Sequence, residues 1–61
     1  MNFSEKEINA LEEELGAEQL LVKKFNLYAQ TTNDPQLKTK CEQIAAKHQN
    51  HYDRLLSRLN G

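Results

Sequence analysis

The only proline of the 61-residue chain, Pro35, follows an aspartate, and the Asp34-Pro35 pair divides the sequence into two stretches of similar length. Aspartate before proline is expected where the first residue caps a helix and the second begins it, because proline lacks the N–H that would otherwise go unpaired there. The preceding Thr31-Thr32-Asn33 mixes β-branched, turn-forming and capping residues. Near the other end, Ser4 and Glu7 have the spacing of a capping box, and Phe3 and Ile8 stand where a hydrophobic staple belongs. One helix is therefore predicted over about 4 to 30, a turn over about 31 to 34 and a second helix over about 35 to 59. Asn60-Gly61 supplies the stop.

Helical spacing continues through both stretches. The first steps through Ile8, Leu11, Leu15, Glu18, Val22, Phe25 and Ala29, and the second through Leu37, Cys41, Ile44, His48, His51 and Leu55, with Tyr52, Leu56 and Leu59 widening the face. A short loop between two long helices makes them antiparallel neighbours. Each helix would be roughly 37 Å long, and neither can cover more than one side of the other.

A chain this short buries too little surface to be comfortably stable alone. The single Cys41 cannot form an internal disulfide, which points to a reducing compartment and to help from a metal or a second chain. Surplus apolar residues at Leu20, Leu21, Leu27, Tyr28 and Leu56 favour the second chain. The expected architecture is all-α, a two-helix hairpin that dimerises into a four-helix bundle, with those five residues at the dimer interface.

Charge excludes several functions. Eight basic side chains against nine acidic ones are interspersed, with no basic block to follow a phosphate backbone, so nucleic acid is not an expected partner. The longest apolar run, Leu20-Leu21-Val22, is too short for membrane insertion, and MNFSEKEIN lacks the parts of a signal peptide. A soluble intracellular protein is expected. No glycine-rich phosphate loop or partnered nucleophile is present, and an enzyme is not expected. Glu12-Glu13-Glu14 suits the first half of a helix as a solvated face, Cys41 suits a small buried apolar position, and Phe25, Tyr28 and Tyr52 suit core or interface positions.

Three polar residues interrupt the apolar register: Glu18, His48 and His51. With the turn centred near residue 33, antiparallel partners have numbers that sum to about 66, pairing Phe25 with Cys41, Val22 with Ile44, Glu18 with His48 and Leu15 with His51. The glutamate thus faces histidines three apart on one helical face. Two imidazoles and a carboxylate are suitable ligands for zinc or iron. The same groups can instead form a hydrogen-bonded layer between helices or sit at a solvated edge.

The segment LYAQTTNDPQLKTKCEQIAAKHQNHYDRLLSRLN, with a tyrosine in the first helix, an Asp-Pro-x-Leu turn and a histidine near the middle of the second, resembles the repeating unit of spore coat protein F-like proteins of endospore-forming bacteria. The resemblance runs from about Glu12 to Leu59. It implies a ferritin-like fold, a spore or forespore setting, other coat proteins as partners, and a role in coat structure or assembly without an enzymatic reaction. Di-iron members of the wider ferritin-like group are similar in carrying a glutamate on one helix and Glu-x-x-His about 30 residues later. Glu18 matches the first glutamate and His51 the histidine. His48 stands where the second glutamate would be, so a bridging carboxylate is missing.

Overall fold

The computed structural model describes residues 3–61; Met1 and Asn2, the first two residues of the MNFSEKEIN segment read for a leader, lie outside them. Two helices, α1 (Glu5–Thr31) and α2 (Pro35–Leu59), pack against each other as a hairpin. Strands are absent among the described residues. No helix among them is long and apolar enough to cross a membrane.

The ends form for the reasons legible in the sequence. Ser4 caps α1, its hydroxyl accepting from the Glu7 N–H at 3.1 Å while the Glu7 carboxylate accepts from the Ser4 N–H at 3.0 Å. Asp34 caps α2 by accepting from the Gln36 and Leu37 N–H groups at 2.9 and 3.3 Å. The intervening turn is tight because Thr32 uses both ends: its N–H donates to the Tyr28 carbonyl and its hydroxyl accepts from the Asp34 N–H. Gly61 takes φ +93°, a left-handed conformation that suits glycine just past a helix end.

The Cα atoms span 47 × 15 × 10 Å, a slab about one helix thick. That thickness limits the core. Among the described residues, Ala29, Cys41 and Ala45 are the buried apolar ones, and no large side chain is fully enclosed. Ala45, one turn beyond Cys41, belongs to the seam although the register above passed over it. Ile8 and Leu37, assigned to the inward face, are exposed, since each lies near a helix end where the opposite helix covers less.

The five residues expected at a dimer interface lie in three places. Successive helical residues advance about 100°. By that count Leu20 and Leu27 lie on the back of α1, opposite the seam, where they are 70% and 56% exposed. Leu21 and Tyr28 share one flank of the hairpin with Glu14, Ile44, His51 and Arg58, whereas Leu56 lies on the other flank with Ile8, Gln19 and Gln49. Leu21 is half-buried, and Tyr28 and Leu56 are exposed.

Candidate carboxylate–imidazole site

Glu18 lies at the midpoint of the 27-residue α1 and is 6% exposed, the only buried charged residue among those described. A carboxylate held away from water needs partners, and its position in an otherwise apolar register leaves few. Each oxygen has its own imidazole: Oε1 lies 2.6 Å from His48 Nδ1, and Oε2 lies 3.3 Å from His51 Nδ1. No buried side-chain polar atom among the described residues lacks a partner.

Where the carboxylate is ionised it can only accept, and the short contact is then a hydrogen bond donated by Nδ1 of His48. Phe25, two turns along α1 from Glu18, lies nearly parallel to the His48 ring at 15°, with centroids 6.4 Å apart. His51 meets His48 edge to face, centroids 5.8 Å apart at 87°. The two rings are therefore held at right angles with one nitrogen of each turned to the same carboxylate. His48 and His51 are both half-buried, while Glu18 is enclosed.

On one flank an open groove leads to this layer, lined by Glu14, Glu18, His51, Arg54, Leu55 and Arg58. Arg54 and Arg58 form no ion pair within the described residues. On the other flank Gln19 Nε2 donates to the Tyr52 hydroxyl at 3.4 Å, closing the seam beside the layer. Lys24 Nζ stands about one ring's breadth from Phe25 and Tyr28, at 6.0 and 5.9 Å from their centroids.

All three residues singled out from the sequence are thus brought together, with one ligand atom of each within 4.8 Å of the others. The di-iron arrangement of ferritin-like proteins does not fit this set, because the cluster contains one carboxylate and His48 occupies the place of the second. Sequence reasoning missed the groove residues Arg54 and Arg58. Their four-residue spacing puts them on one face, a signal that was available but shared with any solvated helix. No protein-family model, curated protein or solved structure matches the chain.

Proposed function

We propose that the protein is a non-enzymatic structural protein that assembles as a homodimeric, ferritin-like four-helix bundle and serves in the spore coat. The observation that carries the dimer is the contrast in burial: three small apolar residues are enclosed while Ile8, Leu20, Leu27, Tyr28, Leu37 and Leu56 are exposed. A slab with so little core needs a second layer to become stable. The flank bearing Leu21, Tyr28 and Ile44 is the proposed contact, because Ala10 and Ala17 lie beside them at helical spacing and let a second helix approach closely.

The coat setting rests on the resemblance of the turn and second helix to spore coat protein F-like proteins, which also makes other coat proteins the expected partners. Leu20 and Leu27, on the back of α1, would remain available to them. Sedimentation equilibrium tests the dimer: the native chain should have the mass of two chains, and Leu21→Asp should lose both association and helicity. A stable helical monomer overturns it. Fractionation of spores from an endospore-forming host tests the setting, with the tagged chain expected in the coat extract and overturned by its absence from mature spores.

A further inference from the structure

We infer that Glu18, His48 and His51 form a mononuclear site for a zinc-like divalent cation within each hairpin. This goes beyond the structural role proposed above and does not depend on it. Glu18 is enclosed, and among the described residues its only partners within ion-pairing distance are imidazoles, which balance its charge only when they carry an extra proton. A divalent cation between the same three groups supplies that balance with the imidazoles neutral.

Ligands held about 2.0–2.2 Å from zinc in a tetrahedron stand about 3.3–3.6 Å apart. The Glu18–His51 contact already has that separation, at 3.3 Å. The Glu18–His48 contact, at 2.6 Å, is a hydrogen bond, and it must open as the metal takes the Nδ1 lone pair. A neutral ring then keeps its one proton on Nε2, and a doubly protonated ring releases its Nδ1 proton to solvent. His48 and His51 share a helix at three-residue spacing with their rings perpendicular, and the groove is lined by His51 and Glu18. In that groove the charges of Glu14 and Glu18 offset those of Arg54 and Arg58, so its fixed charge does not repel a cation. The fourth position is filled by water. Cys41 takes no part, being two turns away along α2 and buried in the seam.

The test is titration of the full chain with cobalt(II), followed by displacement with zinc, read by visible absorption, calorimetry and melting temperature. Expected are one ion per chain, a four-coordinate cobalt spectrum without a sulfur-to-metal band, and a melting temperature that rises with zinc concentration. His51→Ala should weaken binding by no less than the roughly 10–100-fold loss seen when even an outer-shell partner of a ligand is removed. Because His51 is half-exposed, that variant should remain helical; Glu18→Gln, nearly isosteric, provides a second removal. No saturable binding below about 1 mM, or binding equally tight in both variants, overturns the site. Sedimentation of the same samples keeps the dimer separate: one ion bound to a monomer supports the site while it removes the dimer.

Discussion

Glu18 and His48 are 30 residues apart in sequence, yet the carboxylate Oε1 and the imidazole Nδ1 lie 2.6 Å from each other at the middle of the hairpin. The apolar seam is therefore divided into two halves by a polar layer. His48→Leu removes the shorter of the two contacts to a buried carboxylate and should cost about 1–3 kcal/mol. Replacing Glu18 and His48 together by leucine should recover that loss or exceed it, since a buried ion pair often contributes less than apolar packing of similar volume. Urea unfolding of the three chains decides; a double variant less stable than His48→Leu would count against the argument.

Gly16 lies inside α1, and a Cβ placed on it would meet nothing within 4 Å. Gly16→Ala should stabilise the protein by about 0.5–1 kcal/mol through the chain entropy of the unfolded state and the helix preference of alanine. For a domain of this size each kcal/mol is about 4–8 °C of melting temperature. A lowered melting temperature would show that the back of α1 is covered in the assembled protein.

Asp34 accepts two backbone N–H groups at the start of α2 while Pro35 fixes the first helical residue. Asp34→Ala should cost about 1 kcal/mol, and Asp34→Asn should retain most of the cap. Thermal melts followed by circular dichroism measure both, and equal loss in the two variants would assign the effect to charge instead of capping.

The capping box at α1 gives a pH dependence with a definite sign. The hydrogen bond from the Ser4 N–H, followed by that with its side chain, holds the Glu7 carboxyl below its ordinary 4.5. A depressed folded-state value means that its contribution to stability is present above the unfolded value and disappears as pH falls through the folded one. Carboxyl-resolved NMR titration should show a midpoint under 4.5 for Glu7, returning toward it in Ser4→Ala. Ser4→Ala keeps the backbone N–H and removes only the hydroxyl, so the return should be partial, and an unchanged midpoint would assign the whole lowering to the backbone hydrogen bond.

If dimerisation uses the Leu21 and Tyr28 flank, Leu20→Asp should leave association intact while Leu21→Asp abolishes it. The two residues are neighbours in sequence but turn about 100° apart on the helix. Sedimentation of both chains reads the outcome, and loss of the dimer in Leu20→Asp would move the interface to the back of α1.

Much of this was legible in the sequence because the signals are local. Ser4 with Glu7 and Asp34 with Pro35 carry their own hydrogen-bond chemistry, and the hairpin arithmetic that set Glu18 against His48 needs only the turn's centre. What escaped depends on how two cylinders cover each other. Spacing alone gave Ile8 and Leu37 the same standing as Leu11 and Ile44, but coverage falls away toward the helix ends. Ala45 was passed over because a single chosen stripe is narrower than the strip that a neighbouring helix touches. Leu20, Leu21, Leu27, Tyr28 and Leu56 were grouped by apolarity when rotation about the helix separates them.

The slab's two flanks are unlike: one carries the groove with Glu14, Arg54 and Arg58, the other the Gln19–Tyr52 contact. Pairing like flank to like flank closes at two copies and leaves the opposite flanks outward. Pairing unlike flanks would give a ring where the rotation between copies closes and an open array where it does not, since every added hairpin presents the face that the next one needs. If the chain self-associates, the choice between like and unlike flanks would decide whether it forms a closed pair or a larger array.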